Sequence, residues 1–153
     1  MTAISQPYLY ESTDYGERWN ALDLITKEEW TMGAVNDVIA RRETADHLLV
    51  AMGRVRASRD GGESWTTVPL KASIRTFARS VRYPGMIYAS GRYESARPFF
   101  ALTTDFGDTW EKRTFEEGPS PTTTHDLAVR ESGGQEILFL GTDQGLFSFR
   151  FDE

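Results

Sequence analysis

One eight-residue signature occurs three times in this chain and decides its fold. The three copies read STDYGERW at residues 12–19, SRDGGESW at residues 58–65 and TTDFGDTW at residues 103–110. All three obey the pattern Ser/Thr-x-Asp-x-Gly-x-x-Trp without a gap, and the aspartates lie 46 and 45 residues apart. A fixed period of about 40–50 residues is typical of repeat architectures, in which each repeat is one supersecondary unit. The chain is therefore predicted to consist of similar units placed side by side.

Each position of the signature has its own physical task in a tight turn. The Asp side chain can accept hydrogen bonds from backbone N–H groups two residues on, and the Ser or Thr hydroxyl can do so more weakly. The Gly supplies a positive φ, and the Trp starts the outgoing strand and buries a large aromatic surface. Because such an aspartate is bound to its own backbone, the signature is predicted to be structural rather than catalytic. The structural set comprises Ser12, Asp14, Gly16, Trp19, Ser58, Asp60, Gly62, Trp65, Thr103, Asp105, Gly107 and Trp110.

The signature resembles the Asp-box, or BNR repeat, of β-propeller proteins. That class includes sialidases, some endoglucanases, sortilin-type receptors and photosystem assembly factors. The resemblance covers nearly the whole chain and points to the repeat class rather than to one member. It implies that each box lies in the turn between the third and fourth strands of a four-stranded sheet, called a blade below. The expected fold is all-β, a partial Asp-box β-propeller of about three and a half blades.

With the boxes as anchors, the chain divides into four blade pieces of a single domain. The pieces are residues 7–22, 35–70, 73–115 and 123–151. The first supplies only a third and a fourth strand, and the last supplies three strands with no box after them. Propellers typically have about 4–8 blades, and closure of the ring protects their edges. We therefore expect either self-association as a homodimer, with the N-terminal strands completing the last blade, or closure by the remainder of a longer propeller.

The composition agrees with a β-rich protein and excludes several kinds of partner. The chain has 153 residues with 13 glycines and no cysteine, so disulfides and thiolate metal sites are absent. Its net charge of −6 argues against nucleic acid as a partner. Because no signal peptide or membrane-spanning stretch is recognisable, a soluble, cytoplasmic protein is expected, without a membrane partner. The two histidines, His47 and His125, lack metal-ligand spacing, so neither a metal site nor a cofactor is expected.

A glycosidase site is one functional hypothesis. Such a site needs two carboxylates about 5–9 Å apart, and the resemblance to sialidases implies an arginine triad, a Tyr–Glu pair and an acidic proton donor. The sialidase motif Phe/Tyr-Arg-Ile-Pro is matched poorly by residues 73–77, which lack the preceding aromatic residue and the proline. The catalytic candidates are Asp37 and Asp126, at equivalent places where inner strands begin, and the neighbouring His125, because imidazole is a common general acid or base. The alternative interpretation is that each inner strand begins with polar, solvated residues.

A binding surface is the other hypothesis. Arg75 and Arg79 share one face of a strand by the period of two, and a cationic channel could hold carboxylates by bidentate pairing. The resemblance to photosystem assembly factors, which are associated with an arginine patch, supports this assignment. Pairing with acidic residues along the blade surfaces is the alternative. Trp30 lies outside any box and either packs between blades or is exposed as a contact for a sugar or a protein.

Since none of the residue sets expected of a glycosidase is recognisable in the sequence, the sequence favours a binding protein over an enzyme. We expect a non-catalytic binding or assembly module that recognises a protein or glycan through the propeller face. The alternative is a glycoside hydrolase, sialidase-like or endoglucanase-like, whose site is completed across a subunit seam.

Overall fold

The described residues form four antiparallel sheets. The computed structural model describes residues 8–23, 34–42, 44, 46–92, 99–114 and 123–151, and this part of the chain is all-β, as predicted. The strands are β1 (Tyr8–Glu11), β2 (Asn20–Asp23), β3 (Asp37–Ala40), β4 (Leu48–Ala51), β5 (Val55–Ser58), β6 (Thr66–Thr67), β7 (Ser73–Arg79), β8 (Ile87–Arg92), β9 (Phe99–Thr103), β10 (Glu111–Thr114), β11 (Thr124–Ser132), β12 (Gln135–Thr142) and β13 (Gly145–Arg150). In the described residues no helix is long and apolar enough to cross a membrane.

Every sheet pairs strands that are consecutive in sequence. The first hairpin is β1–β2, the second blade is β3–β6, the third blade is β7–β10, and the last sheet is β11–β13. Strand β7 contacts both β3 and β11, so the inner strands of the three larger sheets lie side by side. The three larger sheets therefore follow one another in chain order.

The three Asp-boxes connect third and fourth strands, and they share one hydrogen-bond pattern. The Ser or Thr hydroxyl donates to the Asp carboxylate and accepts the Gly N–H at 2.7–2.8 Å. The Asp accepts the N–H four residues on, at 2.8–2.9 Å, and not the N–H two residues on that the sequence suggested. The box glycines have φ of 92°, 98° and 94°, and this turn of the backbone brings the later N–H to the carboxylate.

Apolar side chains are buried where one sheet packs on the next. Between the second and third blades the core includes Leu49, Val55, Ile74, Phe77 and Phe99. Between the third blade and the last sheet it includes Tyr88, Phe100, Leu127, Leu138 and Leu140. The hydrophobic stabilisation of the fold therefore lies in the seams between sheets.

The first hairpin departs from the expected burial of the box tryptophans. Trp110 is half-buried against the core, whereas Trp19 is 60% exposed. In the described structure the first hairpin has only two strands, so fewer neighbouring side chains are available to cover its indole ring. The indole N–H of Trp19 nevertheless donates to the Gly16 carbonyl at 3.1 Å, which keeps the turn intact.

Local chemistry explains where two strands end. The last bond from β6 to β5 is made by the Val68 N–H at 2.9 Å, and the next residue, Pro69, has no N–H. Strand β7 ends at Arg79, and the N–H groups of Val81 and Arg82 beyond it bind the carboxylate of Glu136.

Candidate functional site at the inner strands

The beginnings of the inner strands carry the predicted site residues. One row of paired residues crosses each of the three larger sheets: Asp37–Ala51–Val55, Thr76–Ser90–Phe100 and Asp126–Gly141–Leu146. The residues just before these rows, Asn36, Arg75 and His125, therefore occupy equivalent positions. Three different polar side chains thus lie at the same end of neighbouring inner strands.

Arg75 and His125 are the extra residues of two β-bulges. The register shifts between Ile74 and Thr76 in β7, and between Thr124 and Asp126 in β11. A bulge leaves its extra residue outside the regular ladder and changes the direction of its side chain. Both side chains are exposed, so a guanidinium and an imidazole are available to solvent on adjacent strands.

Asp37 links the second blade to the third. One carboxylate oxygen accepts the N–H of Val38 at 2.8 Å, and the other accepts the N–H of Phe77 at 2.7 Å. The neighbouring Asn36 amide donates to the Ile74 carbonyl at 3.1 Å. The half-buried Asp37 carboxylate therefore binds backbone groups on two adjacent inner strands.

Asp126 has the same local bond but is exposed. Its carboxylate accepts the N–H of Leu127 at 2.8 Å, as Asp37 accepts that of Val38. Strand β7 lies between β3 and β11, so the two candidate acids are on inner strands separated by a third. His125 and Asp126 are consecutive residues and therefore lie close together. Asp37, however, is not on a strand adjacent to that of Asp126.

The two candidate arginines have different surroundings. The guanidinium of Arg79 donates to the Ala40 carbonyl of the second blade, whereas Arg75 is exposed. The bulge at Arg75 interrupts the strict alternation from which a shared face was predicted. Arg79 thus connects the third blade to the second, and the guanidinium of Arg75 is the more accessible to solvent. Trp30 lies outside the described residues.

A buried carboxylate that the sequence did not single out joins the third blade to the last sheet. Glu136 is 2% exposed and accepts hydrogen bonds from the Ser80 and Tyr88 hydroxyls and from the backbone of Val81 and Arg82. Burial, followed by the hydrogen bond and charge of Glu136, raises the pKa of the Tyr88 hydroxyl, which therefore stays protonated and donates. Only an acidic residue at the start of an apolar strand hinted at this role in the sequence.

A second cluster missed by the sequence holds the third Asp-box against the second blade. Phe106 is 2% exposed, has φ of 57°, and packs with the guanidinium carbons of Arg41 and Arg59 at 5.9 and 6.0 Å from its ring centroid. Arg59 also donates to Asp108, two residues further along. The box of one blade is therefore bound by two arginines of the preceding blade through cation–π contacts and an ion pair.

The box aspartates are held in their ionised form by the turn. A hydrogen bond from the Ser64 hydroxyl, helped by the Ser64 N–H, lowers the pKa of Asp60 to about 2. Burial raises the pKa of Asp105, but the Thr109 and Thr103 hydrogen bonds outweigh it and bring the value to about 2. Neither carboxyl is suited to donate a proton near neutral pH, so both belong to the scaffold.

Chemically, the exposed N-terminal ends of β7 and β11 carry side chains that can pair with an anion. Arg75 offers a planar set of N–H donors that matches a carboxylate, and His125 offers an imidazole on the neighbouring strand. Across the described ranges, no group of three or more His, Asp or Glu side chains could hold a metal ion.

Comparison with solved structures identifies the fold. The chain superposes on an ancestral GH74 enzyme with a TM-score of 0.72, at 19% identity over 91% of this chain and 19% of the enzyme. It superposes on a mutant of the NanB sialidase from Streptococcus pneumoniae with a TM-score of 0.58, at 17% identity over 87% of this chain and 23% of that protein.

The same sialidase bound to a chlorobenzyl-ammonio-ethanesulfonate gives a TM-score of 0.54 over the same shares of the two chains. These proteins are β-propellers with Asp-box repeats, so the chain has the fold of part of an Asp-box propeller. It spans about a fifth of their length. No protein-family model and no curated protein matches the sequence.

Proposed function

We propose that this chain is a non-catalytic binding module that holds a carboxylate-bearing glycan or an acidic protein segment at the exposed ends of β7 and β11. Arg75 is the principal contact and His125 the second. The observation that carries the proposal is the hydrogen bonding of Asp37: each of its two carboxylate oxygens accepts a backbone N–H. A carboxylate bound in this way is poorly placed to exchange protons with a substrate, which argues against the acid pair of a hydrolase.

Glycan is the preferred ligand class. The similar structures include a GH74 enzyme and a sialidase, which act on glycosidic bonds, and the bulged inner strands present polar groups at one end of the sheets. A carboxylate on the sugar would give the Arg75 guanidinium its bidentate partner. An acidic peptide has the same recognition chemistry and is distinguished by the experiment.

The test is calorimetric titration with an oligogalacturonide, a neutral galactose oligomer and a poly-glutamate peptide. We expect the oligogalacturonide to bind, and Arg75→Ala to weaken binding by about tenfold or more, since a lost hydrogen bond to a charged group has about this effect. Arg113→Ala is the matched control, because Arg113 is an exposed arginine of the outer strand β10. Arg79→Ala is avoided because it would also disturb the contact with Ala40.

Two results would overturn the proposal. Equal affinity of the Arg75→Ala variant and the parent protein would exclude the inner-strand ends as the site. Turnover of a fluorogenic glycoside that disappears in Asp126→Asn would establish a hydrolase instead. Tighter binding of poly-glutamate than of the oligogalacturonide would retain the site but reverse the preference for glycan.

A further inference from the structure

One side of the last sheet is exposed, although the equivalent side of each of the two preceding blades is buried. We call it the trailing face, formed by Asp126, Arg130, Phe139, Leu146 and Arg150. In the second and third blades the corresponding side packs against the next sheet. Leu146 is 73% exposed, whereas Val55 and Phe100, in the same row position, are 0% and 4% exposed. The trailing face thus has the same residue positions that pack against a following sheet in the other blades, but in the described chain no sheet covers it.

The arginines of the trailing face match those that bind the third Asp-box. Arg130 lies four residues after Asp126, as Arg41 lies four residues after Asp37. Arg150 lies four residues after Leu146, as Arg59 lies four residues after Val55. Both Arg130 and Arg150 are exposed. The last sheet therefore presents the two guanidinium positions between which the second blade holds Phe106.

The first Asp-box carries the complementary residues. Tyr15 occupies the box position of Phe106 and has nearly the same backbone angle, φ of 59° against 57°, yet its side chain is fully exposed at 108%. Glu17 occupies the position of Asp108, the ion-pair partner of Arg59. Within the box of the second blade the corresponding position is Gly61, which has no side chain to insert. The first hairpin is thus suited to a surface with two arginines, and it makes no such contact with the described residues of the same chain.

We propose that the trailing face binds the first hairpin of a second copy of this chain. Tyr15 of that copy inserts between Arg130 and Arg150, Glu17 pairs with Arg150, and Gly16 packs over Phe139, as Gly107 packs on Leu49. Because each copy carries both surfaces, two copies can join head to tail through two identical contacts that close a ring. Each copy supplies four sheet positions, and the resulting eight agree with the upper end of the usual range of about 4–8 blades.

This arrangement differs from a blade shared between copies. Strand β13 already holds the third-strand place beside β12, so the third strand of a second copy cannot pair there. The hairpin instead meets the flat side of the sheet, as the third blade meets the second. The inference does not rest on the ligand proposed above: Asp126 lies beside that site, but the tested contacts are made by Tyr15, Glu17 and Arg150, which lie elsewhere.

The first experiment measures mass in solution by light scattering after size exclusion, over a range of protein concentrations. We expect twice the chain mass of 17.3 kDa. Tyr15→Ala should weaken the dimer by about tenfold at each of its two contacts, hence about a hundredfold overall, from lost cation–π and apolar contacts. Tyr15 is fully exposed in the single chain, so its truncation leaves the packing of the monomer unchanged. Lys71→Glu, an exposed charge reversal between the second and third blades, is the control.

The decisive experiment mixes two charge-reversed proteins. Glu17→Lys alone and Arg150→Glu alone should each be monomeric, because each places like charges together at both contacts. Mixed in equal amounts, they should form a heterodimer in which both contacts again join opposite charges. Circular dichroism confirms that each variant is folded.

Three outcomes would overturn the proposal. They are a parent protein that is monomeric at every concentration, single variants that remain dimeric, and folded single variants that fail to associate when mixed. Dimerisation of the parent and of Lys71→Glu, loss of the dimer in Tyr15→Ala, and its recovery in the mixture would together support it.

Discussion

Glycine at the fifth position of each Asp-box meets a different environment, although the three turns have nearly the same backbone geometry. A Cβ added to Gly107 would lie 2.8 Å from a methyl of Leu49, which is completely buried. A Cβ added to Gly62 would lie 2.8 Å from a methyl of Leu22, which is only half-buried. At Gly16 the nearest atom is 3.6 Å away, on the exposed Trp19. The same substitution therefore separates backbone strain from packing.

We expect alanine to be least tolerated at Gly107. All three alanine variants should lose about 1 kcal/mol in free energy of unfolding from the positive φ. Gly107→Ala should lose about 1–3 kcal/mol more by overpacking against Leu49, whereas Leu22 can move away from the new methyl of Gly62→Ala. Urea denaturation of the three variants measures the difference. Equal losses at Gly107 and Gly62 would show that Leu49 moves as freely as Leu22.

At the scale of strands and sheets, the sequence predicts what is local and misses what depends on stacking. The Asp-box fixes each turn through bonds spanning two to four residues, so the strands on either side of each box could be placed from the sequence. The bond from Phe77 to Asp37 spans 40 residues, and it exists only once one inner strand lies beside the next. No local sequence pattern marks the β-bulge at Arg75. The sequence therefore could not show that the strict alternation behind the predicted shared face of Arg75 and Arg79 is interrupted.

Glu136 illustrates the same limit and provides a prediction about the seam between the third blade and the last sheet. Replacing it by glutamine substitutes one acceptor oxygen with an amide N–H₂, which faces either the Tyr88 and Ser80 hydroxyls or the N–H groups of Val81 and Arg82. Unsatisfied buried donors cost about 1–3 kcal/mol. We expect Glu136→Gln to lower the free energy of unfolding by about 2 kcal/mol, or the melting temperature by about 4–8 °C for a domain of this size.

Glu131→Gln is the matched control for that measurement, because Glu131 is exposed on the adjacent strand β11. It should leave the melting temperature nearly unchanged. A Glu136→Gln variant as stable as the parent would mean that the buried carboxylate contributes nothing beyond its shape.

For the whole molecule, the first hairpin and the middle blades differ in how firmly they are held. The second and third blades share a continuous buried core, whereas Trp19 and Tyr15 of the first hairpin are exposed. Regions with few buried apolar contacts open locally at low free energy. The hairpin is therefore the part of the described chain expected to open first when the chain is alone.

Hydrogen exchange should report this difference and its dependence on assembly. In Tyr15→Ala, amides of residues 8–23 should exchange much faster than those of β4, β5, β8 and β9. In the parent protein, raising the concentration should slow exchange in the hairpin and in β11–β13, while the middle blades change little. Hairpin exchange that is unaffected by concentration would contradict the seam between copies.

The pairing of each strand with its neighbour in sequence has a consequence for synthesis. A sheet can form as soon as its own residues have left the ribosome, and the next repeat, about 45 residues long, follows in about 2–9 s at ordinary elongation rates. During that interval the apolar side of a finished blade faces solvent. In the proposed dimer, the first hairpin of a second copy covers the trailing face, so the exposure of this face ends when two finished molecules meet. The proposed contact therefore makes the duration of this exposure depend on the concentration of the protein.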